Sequence, residues 1–268
     1  MNDQMLKNKH IVIIGGTTGL GLSASMAFIR QGAKVIAVGR NPEHNAAAQL
    51  QFGDMGRVIT GDATHENTAV EAINLCIKLW ESFDGLYHVA GGSGRKMGDG
   101  PLHKLSMEGW MSTIELNLTS VMLSNRAAIF SFLEQKRGGT ILNMGSVLSH
   151  YPAPHYFTTH AYAAAKAAIE GLSKSSAAHY AKHNIRINVI AAGLIETPMA
   201  QRAAQDADIL NYMVTKQPLD GGRIGQPGDL DAAACYFMSD LSGFTTGQVL
   251  AIDGGWGVSE GQISSRTT

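Results

Sequence analysis

Tyr162 and Lys166 stand four residues apart in the alanine-rich run Ala161 to Ala168. Alanine is the best helix former, and nothing in this run breaks a helix. Positions i and i+4 of a helix share one face, so the phenol and the ammonium should project side by side. Free in water, both groups titrate near pH 10. A nearby positive charge stabilises a phenolate and lowers the phenol's pKa. Such a pair predicts a general acid/base usable near neutral pH. The same spacing also occurs in plain helical surface pairs, so the rest of the chain must decide its meaning.

The elements that would position this pair alternate regularly. Short β-branched or apolar runs at His10–Ile14, Lys34–Val38, Arg57–Thr60, Leu86–Ala90, Thr140–Met144, Ile185–Ala191 and Val249–Ile252 read as buried strands. Helical patterns lie between them at 19–31, 42–52, 66–82, 106–136, 160–183 and 227–239. This alternation predicts an α/β single-domain Rossmann fold over residues 1–268: a doubly wound seven-stranded parallel sheet with helices on both faces. The stretch 194–222 is irregular and reads either as a substrate flap or as a surface helix pair.

The first strand runs into Gly15-Gly16-Thr17-Thr18-Gly19-Leu20-Gly21, where a helix begins. Glycines there allow a sharp turn and close approach of a pyrophosphate to a helix N-terminus. The second strand ends in Gly39-Arg40, with no acid in its last positions. An acid there would bind a ribose 2′-hydroxyl, whereas an arginine accommodates a 2′-phosphate. The expected cofactor is therefore NADP(H), with NAD(H) as the alternative.

Composition bounds the partners. With 44% hydrophobic residues in 268, the chain can bury a full core. The formal net charge is -1 and there is no basic block, which argues against nucleic acid. Cys76 and Cys235 are the two cysteines, too few for a disulfide framework or a metal site. His150, His155 and His160 have no standard metal spacing, and they read as pocket-lining or surface residues. Asp99, His103 and Glu108 read as solvated. No apolar run is long enough to span a membrane, so a cytoplasmic location is expected.

With these motifs in register, the chain resembles the classical short-chain dehydrogenase/reductase family over nearly its whole length. Gly15, Gly19 and Gly21 match the family's first glycine motif. Asp62-Ala63 looks like its adenine-contacting segment. Ala90-Gly91 matches the end of its Asn-Asn-Ala-Gly motif, with His88 and Val89 replacing the asparagines. Asn117, Ser146, Tyr162 and Lys166 match its four catalytic positions. Ser146 stands further from Tyr162 than in many members, whose interval leads back to Ser149 instead; the Gly145-Ser146-Val147 context at a strand end favours Ser146. Ile195 and Thr197 match residues that hold the nicotinamide carboxamide and a phosphate, after Ala192-Gly193 where the family has Pro-Gly.

The resemblance implies hydride transfer between NADP(H) and a ketone or secondary alcohol, with Tyr162 as general acid/base. It assigns Gly15, Thr17, Thr18, Gly19, Leu20, Arg40, Asp62, Ala63, Ala90, Gly91, Ile195 and Thr197 to cofactor binding, alongside Tyr162 and Lys166. It also implies a homo-oligomer, a tetramer or dimer, and a small-molecule substrate. The rival readings are a non-catalytic NADP-sensing or scaffold protein, and an epimerase or dehydratase of the same superfamily. An enoyl reductase fits less well, because such enzymes space Tyr and Lys further apart.

Overall fold

A computed structural model describes residues 4–262. Seven parallel strands form one sheet in the order β3-β2-β1-β4-β5-β6-β7. They are β1 (His10–Ile14), β2 (Lys34–Gly39), β3 (Gly56–Thr60), β4 (Gly85–His88), β5 (Gly139–Ser146), β6 (Ile185–Ala192) and β7 (Val249–Ile252). The helices are α1 (Gly19–Arg30), α2 (Pro42–Phe52), α3 (Glu66–Trp80), α4 (Met107–Ile114), α5 (Ser120–Gln135), α6 (His160–Tyr180), α7 (Gln201–Ala204), α8 (Ala207–Lys216) and α9 (Asp231–Met238).

Side chains alternate across a strand, and the two faces of β1 show it. Ile11 and Ile13 join Ala24 and Phe28 of α1, Ala48 of α2 and Ala234 of α9 in one core layer. Val12 and Ile14 join Ala69 and Ile73 of α3 and Ile129 and Phe132 of α5 in the other. Helices therefore cover both faces, which is why the central strands read as continuous apolar runs. Within the second layer, the Phe83 and Phe132 rings stack at 4.7 Å.

Two elements differ from expectation. The 106–136 helix is divided, because Glu115–Thr119 forms a π-helical turn between α4 and α5. Single π turns inside α-helices are frequently found at functional sites. Strand β4 ends at His88 because the Val89 and Ala90 amides both donate to the Ile14 carbonyl, at 2.9 Å each, which closes the ladder. The irregular 194–222 stretch holds α7 and α8, whose Ala203, Ile209, Tyr212 and Met213 pack with Val147 and Trp256 in a separate small core.

The strand order reverses direction between β1 and β4. In open α/β sheets, ligands bind outside the carboxyl ends of the strands at such a switch point. The turn after β1 and the loop after β4 both leave the sheet there.

Phe132→Ala should lower the unfolding free energy by about 3–5 kcal/mol. Leu50→Ala on exposed α2, where the side chain is 86% accessible, should change it by no more than about 0.5 kcal/mol. Chemical denaturation of the two variants checks the layer assignment.

Candidate active site

The turn after β1 is built for close approach. Gly15 has φ +86°, and a Cβ there would sit 2.7 Å from the Ala90 amide nitrogen. At Gly21 a Cβ would lie 1.9 Å from the Gly15 carbonyl oxygen. A side chain at Gly15 would push the turn away from the segment after β4, and one at Gly21 would push α1 away from the turn. Helix α1 begins at Gly19 with no side-chain cap and no acid in its first turn. Its leading amides are thus left to an anionic ligand.

Two adjoining clefts open at this edge and share Leu20, Val89, Gly91, Thr197 and Met199. The first, of about 420 Å³, is lined by Gly15, Thr17, Thr18, Arg40, Asp62, Ala63 and Ala90. The second, of about 320 Å³, is lined by Ser146, Tyr162, Lys166 and Ile195. Gly19 is not among the lining residues of either cleft; it faces Thr197 and Pro198, which line the first. Arg40 is exposed at the far end and lies 3.6 Å from the Asp62 carboxylate. Burial acts to raise the pKa of Asp62, but hydrogen bonds from the Thr64 amide and hydroxyl, with the Arg40 charge, outweigh it and hold the carboxyl below its usual range.

The catalytic candidates converge around the end of β5. Ser146 is its last residue and is buried. Tyr162 and Lys166 project from the first turns of α6, with the Lys166 Nζ 5.6 Å from the Tyr162 ring centre. Lys166 is 3% exposed and donates to the Met144 carbonyl at 2.7 Å. Ser149 turns away: its Oγ lies 2.6 Å from the Ser146 carbonyl and 2.5 Å from the buried Glu170 carboxylate. His150 binds the same carboxylate, so Ser146 alone of the two serines lines the cleft.

The pKa directions revise the expectation for Tyr162. The ring keeps an accessible edge toward the cleft, yet burial pushes its hydroxyl above the ordinary phenol value. A hydrogen bond with Ser146 opposes the shift without cancelling it. Lys166, whose donor is committed to Met144, is itself lowered to about 8 by burial. For both groups desolvation, which requires the fold, sets the direction of the shift.

Asn117 sits in the π turn, fully buried behind the loop after β4. Its Oδ1 accepts from the Gly92 amide at 3.0 Å, and its Nδ2 donates to the Gly92 and Thr113 carbonyls at 2.9 Å. His88 replaces the family's asparagine brace with another. Its buried ring shares hydrogen bonds with Ser124 Oγ at 2.7 Å, Ala90 O at 3.2 Å and Ser120 Oγ at 3.3 Å. Burial and then the Lys166 charge push its pKa down to about 3, which keeps it neutral. After β6, the buried Gln217 accepts from the Leu194 amide at 2.5 Å and donates back to its carbonyl at 3.2 Å. It pins the strand exit where the family has proline.

Asp99 is a site residue that the sequence did not reveal. Rather than being solvated, it is 6% exposed. Its carboxylate accepts from the Ala161 amide at 3.0 Å and the Tyr162 amide at 2.9 Å. Thr159, the residue before α6, offers no side-chain cap. A remote acid thus caps the helix that carries Tyr162, where negative charge is favoured. The nearest sequence signal was glycine at both Gly98 and Gly100 around it.

Comparison with known proteins agrees with this arrangement. A family model described as Enoyl-(Acyl carrier protein) reductase matches residues 15–257. The chain belongs to the classical short-chain dehydrogenase/reductase family. It is 33% identical over 254 residues to 3beta-hydroxysteroid dehydrogenase 1 of Eggerthella lenta, covering 93% of this chain and 94% of that protein. It is 32% identical over 257 residues to 2-(S)-hydroxypropyl-CoM dehydrogenase 3 of Xanthobacter autotrophicus, covering 93% and 97%. A short-chain type dehydrogenase/reductase from Mycobacterium ulcerans superposes with a TM-score of 0.86 at 27% identity, covering 94% of this chain and 90% of that one. The chain is accordingly a short-chain dehydrogenase/reductase built for a nicotinamide cofactor and a small-molecule substrate. Among the described residues, no helix is long and apolar enough to cross a membrane.

The buried ammonium has a measurable signature. The folded-state pKa of Lys166 near 8 lies below the unfolded value of about 10.4. Between these values the unfolded chain binds more protons, so this group makes stability rise with pH. The difference in unfolding free energy between wild type and Lys166→Met should stay level from about pH 6 to 7.5. It should then move in favour of the wild type from about pH 8 to 10. A difference independent of pH would contradict the buried charge.

Proposed function

We propose that this protein is an NADP(H)-dependent oxidoreductase that interconverts a ketone and a secondary alcohol, with Tyr162 as general acid/base. The observation that carries the reading is the convergence of Ser146, Tyr162 and Lys166 on one cleft that adjoins a glycine-cradled second cleft. The cradle fits a dinucleotide. Gly15 leaves room where a Cβ would collide with Ala90, and the start of α1 offers uncapped amides to a pyrophosphate. Thr17, Thr18, Gly19 and Leu20 would hold the pyrophosphate, Asp62 and Ala63 the adenine, and Ile195 and Thr197 the nicotinamide end. Arg40 would meet the 2′-phosphate that distinguishes NADP(H).

When bound, the cofactor supplies or accepts the hydride. In reduction, Tyr162 donates its proton to the carbonyl oxygen as the carbon receives the hydride. A pKa raised by burial keeps the phenol protonated and ready to donate. The hydroxyl of Ser146 donates a hydrogen bond to the same oxygen and stabilises its developing charge. Lys166 would hold the nicotinamide ribose and stabilise the tyrosinate left behind. Asn117, in the π turn behind the loop after β4, would hold a water that links Lys166 to solvent and returns the proton. Residues 194–222 close the substrate side of a single domain. A homo-oligomer fits the apolar surface of α4 and α5, where Met107, Met111 and Phe130 are 72%, 58% and 67% exposed.

The dehydrogenase names of the relatives favour alcohol–carbonyl chemistry over epimerisation or dehydration. Ser146, Tyr162 and Lys166 on one cleft, with Asn117 behind it, argue against a sensor or scaffold, for which they would be idle.

Tyr162→Phe should reduce kcat by about 10²–10⁴-fold while fluorescence titration still detects NADPH binding; near-normal turnover would refute the role. The ratio of kcat/KM for NADPH over NADH should exceed one clearly and fall in Arg40→Ala. A wild-type preference for NADH would reverse the cofactor assignment.

A further inference from the structure

The cleft beside Tyr162 has an apolar wall and one cationic corner. Val147, Leu148, Phe157, Leu194 and Trp256 form much of the wall. Arg95 and Arg202 line the same cleft and do not line the adjoining one that holds Arg40. They arrive from separate parts of the chain, Arg95 from the loop after β4 and Arg202 from α7. Their Nη2 atoms nevertheless converge on a single acceptor, the Tyr156 carbonyl, at 3.1 and 3.2 Å.

Two positive charges are thus gathered at one neutral oxygen. Among the described residues, no carboxylate comes within 4.0 Å of either guanidinium. Asp99 is close enough for Arg95 to feel its charge, but the two form no ion pair, and the Asp99 oxygens point to the α6 amides. Burial first, and then the Arg202 charge, depress the pKa of Arg95. A guanidinium carries five N–H donors, and each of these arginines commits one to Tyr156. The remaining donors and the mutual repulsion call for an anion. Paired guanidiniums match a carboxylate in both charge and planar geometry. The cofactor's own phosphates belong to the other cleft, so they do not answer this need.

We infer that the substrate is an oxo acid or hydroxy acid whose carboxylate is held by Arg95 and Arg202 while its apolar body lies along the Val147–Trp256 wall. This rests on the oxidoreductase reading above and adds the substrate class. The two arginines act as specificity residues: they fix the anionic end so that the carbonyl faces Tyr162 and Ser146.

The test compares 4-oxocyclohexanecarboxylate and 6-oxoheptanoate with their methyl esters, at saturating NADPH. For the wild type, kcat/KM for at least one acid should exceed that of its ester by about tenfold or more. In Arg95→Ala/Arg202→Ala this acid-to-ester ratio should fall to near one. The single variant Arg202→Glu alters an exposed side chain, and it should tip the ratio toward the ester even if the double variant folds poorly. Equal use of acid and ester by the wild type overturns the inference, as does a ratio unchanged in the variants. Reduction of neutral ketones with no use of either acid also overturns it, and leaves the oxidoreductase reading intact. If no carbonyl is reduced at all, that reading fails instead. Calorimetric titration with 4-oxocyclohexanecarboxylate then decides: binding lost in the variants supports the anion site, and absence of wild-type binding overturns it.

Discussion

An ammonium with almost no access to water sits at the centre of this molecule. Lys166 is anchored to the Met144 carbonyl near the end of β5, which ties α6 to the sheet at the place where chemistry is expected. Burying a charge is costly unless it is hydrogen-bonded. Its surroundings adjust accordingly: His88 stays neutral, and the phenol above it stays protonated. Nearby polar groups are paired off among themselves. Asn125 and Asn143 exchange amide hydrogen bonds at 2.9 Å, and Asn143 also reaches Ser173 at 3.0 Å.

Much of this arrangement was legible in the chain. Buried parallel strands announce themselves as β-branched runs, and all seven stand where those runs are. The glycine turn was readable because glycine is the residue type that permits both φ near +86° and backbone contact with Ala90. The Tyr162–Lys166 face followed from helical period alone. The choice between Ser146 and Ser149 rested on context, and Glu170 supplies the geometric reason by drawing Ser149 away.

What was hidden depends on contacts between distant residues. Asp99 is more than sixty positions from the amides it caps, and no local pattern marks it. Asn117 in the π turn is paired with Gly92, which lies 25 positions away in the chain, and no local pattern marks that contact. The direction of the Tyr162 shift could not be read from spacing, since a neighbouring lysine argues for a lower pKa and only burial argues for a higher one. Arg95 and Arg202 lie more than a hundred residues apart in the chain, and only the fold brings them to one carbonyl.

The short loop from Gly94 to Asp99 carries two attachments at once. One end presents Arg95 to the cleft, and the other grips the amide of Tyr162 itself. The loop is also closed internally, since the Asp99 amide bonds the Gly94 carbonyl at 3.1 Å. The proposed anion corner and the start of the helix that carries Tyr162 are therefore mechanically linked through six residues. Grafting a new loop here would disturb the helix that carries Tyr162 along with the binding surface. Diversifying the α7 side of the cleft avoids that linkage and is the more tractable starting point for redesign.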